Sequence, residues 1–501
     1  MEFSRAVVQA KKSCGVRTVL SMQLDDKNPS RENPTQALEN ALRVVNHTGS
    51  VGVIGVYIAQ DSGAKDEQRK QGIFSFPLAN FFEKGLTIGT GQDPVKKYNE
   101  YLRDLVESSF ATELCRKMHK TCQLEGVMKR RTSSTRKVRY AVVGLGHIAQ
   151  VAVLPAFRNA SNSELVAVVS GESKKREKLA KKYHLEHVYS YDQYDRALSQ
   201  VDAVYLALPN HLHREYAVRA AQARVHVLCE KPMAVTEDDC QAMIDAADEN
   251  GVKLMIAYRL HFEAGNLEAI RLAKSGKLGD VRIFTSEFAQ QVTEGNLRVS
   301  ETVARGGGPL YDMGVYCINA ARYLFRTEPT AVFALTANNG EKRFRKVEEM
   351  TSVVMRFPEE RMATFTCSFG ATDVSRYTLI GKKGLLVVDP AYEYAMGIKH
   401  QLTIGGRTKI SKFPKRDQFA AELIYFSDCI VKNKEPEPSG LEGLADVRIV
   451  QAIYESARTR RMVELPELPA KKRPTTRQEI QRPSHEKPTT VHAKSPSGEA
   501  A

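Results

Sequence analysis

The chain has 501 residues, 42% hydrophobic and 26% charged, which is enough material for two or three soluble domains and too much for one. Its net charge of +14 gathers largely in Lys129 to Arg139 and Lys471 to Lys494, without an aromatic-interleaved basic stripe, so no nucleic-acid partner is expected. The eight cysteines stand singly, no apolar signal core opens the sequence and no apolar run reaches spanning length. These features predict a cytoplasmic protein with neither a disulfide framework nor a membrane partner.

In chain order, residues 1–128 come first. Ala37 to Val45 has helical spacing, Val51 to Tyr57 and Leu86-Thr87-Ile88 read as strands, and Val95 to Val106 reads as an amphipathic helix. Gly49-Ser50-Val51-Gly52-Val53-Ile54-Gly55-Val56-Tyr57, Lys70-Gln71-Gly72 and Gly91 to Asn99 carry a resemblance to the end of the cofactor domain of zinc-type alcohol dehydrogenases, particularly glutathione-independent formaldehyde dehydrogenases. The resemblance covers roughly residues 35–110 and implies a partial Rossmann-like fragment. That family's zinc-binding domain and glycine fingerprint are absent, so no functional residue carries over. Cys115, His119 and Cys122 lie close together but lack a fourth ligand, and no metal is expected. Residues 129–137 read as a basic linker.

At Val138 a strand runs into Gly144-Leu145-Gly146-His147-Ile148-Ala149, the opening of a dinucleotide-binding fold. Gly144 permits the turn, Gly146 lets backbone approach a diphosphate, and Ala149 takes the third small position. Strand and helix then alternate through residues 138–258, which predicts a doubly wound parallel sheet. Beyond Tyr258 strand candidates follow one another: Val281 to Gln290, Ala331 to Ala337, Thr351 to Phe357, Met362 to Phe369 and Tyr377 to Ile380. Residues 259–465 therefore read as an α+β domain with a largely antiparallel open sheet and two C-terminal helices. Residues 466–501, rich in Pro, Lys, Thr and Ser, read as a disordered tail.

Three places carry chemistry. At the second strand's end, Ser170 can donate a hydrogen bond and Lys175 or Arg176 can neutralise a phosphate, which favours NADP over NAD. Glu172 is the acid that would instead select a free ribose, although it sits past Gly171 among cations. Glu230-Lys231-Pro232 follows a strand at its carboxyl end, where open α/β sheets bind ligands. On the following domain's helix, Asp312 and Tyr316 are four apart and share a face, and a phenol beside an ammonium can act as general acid/base. The triple glycine Gly306-Gly307-Gly308 argues for close ligand approach there.

These motifs, with Leu208-Pro209-Asn210-His211-Leu212-His213, Tyr258-Arg259-Leu260-His261 and Asp312-Met313-Gly314-Val315-Tyr316, resemble the Gfo/Idh/MocA oxidoreductases from about Arg139 to Val463, and within them the glucose–fructose oxidoreductase branch. The resemblance implies Lys231 and Tyr316 as the catalytic pair, with Asp312 and His261 helping to hold a sugar. It implies cofactor contacts from Gly144 to Ile148 and from Ser170, Gly171, Lys175, Leu208, Pro209, Asn210, His213, Glu230, Lys231 and Arg259. The expected protein is an NADP-dependent sugar oxidoreductase, homo-oligomeric through its antiparallel sheet as a dimer or tetramer. The alternatives are an ordinary NAD(P)-dependent dehydrogenase that releases its cofactor each turnover and a non-catalytic NADP(H)-binding regulator.

Overall fold

The computed structural model describes residues 137–467 and 473–497 and, before them, the backbone of four strands. Two compact units divide the chain near Thr132. In the first, β1 (Val7–Lys11), β2 (Arg17–Ser21), β3 (Ser50–Ile54) and β4 (Thr87–Thr90) form one sheet in the order β2-β1-β3-β4. The two strands expected there are β3 and β4, and they pair in parallel; β1 runs antiparallel to β2 and β3. The expected helices, the cysteine–histidine group and the linker up to Arg136 lie outside the described residues.

The second unit opens with β5 (Val138–Val143), β6 (Ser163–Val169), β7 (His187–Tyr189), β8 (Ala203–Leu206), β9 (His226–Cys229) and β10 (Leu254–Ile256). All are parallel, in the order β10-β9-β8-β5-β6-β7. Strand order reverses between β5 and β8, so the carboxyl ends of these two strands flank a crevice. β5 is buried along nearly its whole length, as a strand covered on both faces must be. The expected helix after the glycine turn is a π-turn, Ala149–Val153, running into Leu154–Ala156. Pro155 has no N–H to give, and it sits where the helical register has already shifted.

The second sheet has nine strands, β11 (Val281–Ala289), β12 (Ala331–Ala337), β13 (Met350–Phe357), β14 (Arg361–Ser368), β15 (Val374–Gly381), β16 (Gly384–Val388), β17 (Ile398–Ile404), β18 (Arg407–Phe413) and β19 (Val463–Glu464). The order is β18-β17-β16-β15-β11-β14-β13-β12-β19, and only β11 and β14 pair in parallel. Phe284, Phe365, Met355 and Leu379 point from this sheet into a core shared with α1 (Ala264–Lys274) and α2 (Val315–Phe325). Of the closing helices, α3 (Gln418–Val431) packs on the parallel sheet, where Ser427 Oγ meets Tyr140 Oη at 2.8 Å. α4 (Gly440–Thr459) spans both cores.

The tail departs from expectation. Residues 473–497 lie against the globule. Composition counts the apolar surface a segment can bury, and here Ile480 and Val491 bury little. The tail's backbone is instead satisfied by groups of the folded body, among them Gln150, Asn159 and Asp417.

Candidate active site

The glycine turn is fixed by its neighbours. Gly144 N donates to Val169 O at 2.9 Å and Ala207 N donates to Val143 O at 2.8 Å, so the turn is wedged between the ends of β6 and β8. Gly144 has φ +93°, and a Cβ there would stand 2.3 Å from Ala207 O. A Cβ on Gly146 would meet nothing within 4 Å. That open space lies before the N-terminus of the following helix and suits a diphosphate. The residues present therefore fit a dinucleotide.

At the end of β6, Ser170 is buried and its carbonyl accepts from the Arg176 guanidinium. Lys175 Nζ stands 3.5 Å from Glu172 Oε2. Lys175 and His492 hold the exposed Glu172 carboxylate below the usual range, the His492 hydrogen bond being the larger cause. Ser170, Gly171 and Lys175 thus share one corner, and the acid beside them is already engaged by His492 and Lys175.

His213 ties two strand-end loops together. Its Nε2 faces Leu208 O at 2.9 Å and its Nδ1 faces Pro232 O at 3.0 Å and Met233 O at 3.2 Å. Burial lowers its pKa although the carbonyls favour the charged ring. It therefore shapes the loops that carry Pro209, Asn210 and Lys231 and leaves no nitrogen for a ligand. The Lys231–Pro232 bond is cis. Glu230 is tucked inward, accepting from Tyr205 Oη at 2.8 Å, and burial raises its pKa.

Lys231 reaches across to the second domain. Its Nζ donates to Asp312 O at 2.7 Å and to Asp312 Oδ1 at 3.3 Å, and lies 4.6 Å from the centre of the Tyr316 ring. Asp312 Oδ2 accepts from Arg298 Nε at 2.5 Å. Burial opposes the Asp312 charge, but Arg298 and Lys231 outweigh it and hold the carboxyl below its ordinary value. Below Tyr316 lies Arg259, its Cζ 5.0 Å from the ring centre and its guanidinium donating to Gln418 Oε1 and Tyr392 O, both at 2.5 Å. Burial works against the Arg259 charge, yet Tyr316, Glu393 and Glu422 raise its pKa. The Tyr316 ring thus lies close to two cations, Lys231 and Arg259, one from each domain. Such a group can pass a proton to or from a hydroxyl bound above it.

Besides His213, expected on the cofactor but with both ring nitrogens on backbone carbonyls, three expectations need correction. Arg259, expected on the cofactor, is 5% exposed and serves as the floor under Tyr316. His261, expected on the substrate, is fully buried with Nδ1 on Glu437 Oε1 and Nε2 on Asn319 Oδ1, each at 2.9 Å. Both its nitrogens face acceptors, so both donate; burial opposes the charge, but Glu437 raises its pKa and His261 belongs to a buried ion network. The triple glycine makes room for protein atoms: a Cβ on Gly306, at φ +80°, would lie 2.6 Å from Asn210 Cβ, and one on Gly308 would lie 2.9 Å from Glu348 Oε1. Asn210 Nδ2 donates to Gly306 O at 2.7 Å, and this contact joins the two walls of the cleft. Arg298 was not anticipated; no motif marks it, and only the fold brings it to Asp312.

Residues 138–258 match the oxidoreductase family with an NAD-binding Rossmann fold, GFO/IDH/MocA, and residues 266–387 match the GFO/IDH/MocA C-terminal domain. A D-xylose 1-dehydrogenase [NADP(+)] of Haloarcula marismortui is 30% identical over 346 residues, covering 67% of this chain and 95% of that protein. The chain belongs to the GFO/IDH/MocA oxidoreductase family. A dTDP-3,4-didehydro-2,6-dideoxy-alpha-D-glucose 3-reductase of Saccharopolyspora spinosa is 33% identical over 259 residues, 51% of this chain and 75% of that one. Among solved structures, the aldose-aldose oxidoreductase from Caulobacter crescentus complexed with glycerol is 39% identical, covers 66% of this chain and all of its own, and superposes with a TM-score of 0.63. Among the described residues no group of three or more His, Cys, Asp or Glu could hold a metal ion, and no helix is long and apolar enough to cross a membrane.

Proposed function

We propose that this GFO/IDH/MocA protein is an NADP-dependent oxidoreductase that moves a hydride between a CH–OH carbon of a glucose-like aldose, or a derivative of one, and a nicotinamide. The observation that carries the reading is the cluster of Lys231, Asp312 and Tyr316 across the crevice that opens at the glycine turn. When bound, NADP supplies the hydride acceptor or donor. Tyr316 Oη takes the proton from the sugar hydroxyl in oxidation and returns it in reduction. Lys231 stabilises the charge that develops beside it, Asp312 orients Lys231 and accepts from a neighbouring sugar hydroxyl, and Arg298 keeps Asp312 ionised. The intact cluster speaks against a non-catalytic NADP(H) regulator. Mass spectrometry of the nucleotide that copurifies, followed by a panel of aldoses at fixed NADP, tests the assignment; a nucleotide-free protein inert to every aldose would sink it.

Ser170 and Lys175 make the 2′-phosphate contact in this reading. Lys175→Ala should weaken NADP by about tenfold or more, the worth of one charge-assisted hydrogen bond, and leave NAD nearly unchanged. Equal losses for both nucleotides, measured by titration, would remove the phosphate role.

The open face of the nine-stranded sheet exposes Ile283 on β11, Met362 on β14, and Phe333 and Leu335 on β12, two strands further on. A second copy of the chain is the occupant that this reading assigns, giving a dimer or tetramer. Leu335→Glu should lower the mass seen by light scattering; an unchanged mass counts against this face.

A further inference from the structure

The last described stretch of the chain crosses the cofactor side of the Rossmann sheet. It starts at Pro483, which bridges to Arg416 just before α3 and whose carbonyl accepts from Asn159 Nδ2 at 2.9 Å. His485 sits between Asp417 Oδ2 at 3.2 Å and Val151 O at 3.0 Å, the latter on the turn of helix after the glycines. Val491 then pairs with Gln150: its N–H donates to Oε1 at 2.7 Å, and Gln150 Nε2 donates to Val491 O and to Leu145 O, each at 2.9 Å. Leu145 is the middle residue of the glycine turn. His492 contacts the Glu172 carboxylate, beside Lys175. Pro496 O accepts Thr293 N at 3.0 Å, on the segment that follows β11 in the second domain. The segment is thus anchored on the first domain, at the turn itself, at the end of β6, and on the second domain.

Beneath it lies a cavity of about 200 Å³ whose lining includes His147, Lys415, Arg416, His485 and Lys487. The acid in that lining, Asp417, already accepts from Ala420 N and Asn159 Nδ2 and meets His485. His147 Nε2 is buried there with no hydrogen-bond partner. A small pocket lined by Lys415, Arg416 and Lys487 against one engaged carboxylate suits an anion.

We propose that residues 483–497 are a strap that roofs the diphosphate part of the nucleotide site, so that the cofactor leaves only when the strap lifts. The proposal rests on the reading of this groove as an NADP site. No helix or sheet ladder holds the strap. Its anchors are single hydrogen bonds and imidazole–carboxylate contacts, each weak enough to open without unfolding the body. Together they close the groove from both domains. A nucleotide trapped in this way is exchanged slowly.

The test uses full-length protein. Val491→Pro removes the N–H that Gln150 accepts from, and His492→Ala removes the contact at Glu172 without touching the core. NADPH is bound, chased with excess NADP, and its release followed by fluorescence, with circular dichroism confirming the fold. Each variant should release NADPH about tenfold faster than the wild type, the effect of losing one such anchor. The double variant should be faster still. Folded variants that release NADPH at the wild-type rate overturn the strap while leaving the NADP site intact. A wild type that binds no NADPH overturns the site reading, and the strap with it.

Discussion

Tyr316→Phe should leave the fold and nucleotide binding intact and slow the chemical step by about 10²–10⁴-fold, the range for a positioned proton-transfer group. The ring is held by packing on Phe288 and Tyr392, with centroids 5.7 and 5.9 Å away, and a phenylalanine keeps both contacts. Only the hydroxyl is lost, and with it the atom that the site offers to a sugar proton. Lys231→Ala should cost a comparable factor. That change removes the ammonium beside the phenol and also leaves Asp312 facing Arg298 alone. Groups that act as a unit are not additive, so the double variant should be little worse than either single one. Near-normal turnover of Tyr316→Phe would show that the ring merely packs. The acceptor would then have to come from Asp312, because His213 and His261 have both ring nitrogens committed to protein acceptors.

What the sequence made legible follows a physical division. Buried parallel strands such as β5 and β8 announce themselves as short apolar runs, and the glycines after β5 mark a turn that only glycine can make. The outer strands β17 and β18 are half-exposed and carry lysines and threonines, so their alternation is faint. Lys231, Asp312 and Tyr316 were visible as motif residues, and the fold brings them together. Arg298 and Arg259 were not assigned these places, because no motif ties Arg298 to Asp312 and Arg259 acts through partners far away in sequence. His261 shows the opposite failure. It stands in a motif that the family resemblance placed at a cleft, yet its chemistry is spent on Glu437 and Asn319. Composition reads the tail as disordered because it describes what a segment can bury and says nothing of the hydrogen bonds that the folded body offers residues 473–497.

The ion network that claims His261 leads to the second large effect. Arg322 lies on α2, six residues past Tyr316, with its side chain fully buried. Its guanidinium holds Glu328 through Nε at 2.5 Å and Nη2 at 2.9 Å, Asp446 through Nη1 at 2.5 Å and Glu442 through Nη2 at 3.3 Å. Asn319 Nδ2 donates to Asp446 and Glu442 from the same helix, and Arg473 reinforces Glu328 and Glu442. Arg322→Met keeps the stem's packing and strips the charge from beneath three carboxylates. Removing one partner from such a buried group costs about 3–5 kcal/mol, because the carboxylates stay out of water and Arg473 replaces the lost guanidinium only at Glu328 and Glu442, leaving Asp446 without it. Arg322→Lys should recover only part of this, since one ammonium cannot reproduce the fork that reaches all three acids. The deficit of Arg322→Met should shrink as pH falls, because protonation neutralises the stranded carboxylates. In the wild type the His261 contribution runs the same way. Its pKa is raised by Glu437, so its stabilisation is full below the ordinary imidazole value of about 6.5 and is lost as pH rises through the raised one. Denaturant melts of both variants across this pH range check the sign; an Arg322→Met midpoint equal to that of the wild type would mean the network contributes nothing. Because α2 also carries Tyr316, the loosened helix should slow turnover, though less than loss of the hydroxyl itself, since the phenol remains and only its placement between Lys231 and Arg259 is blurred.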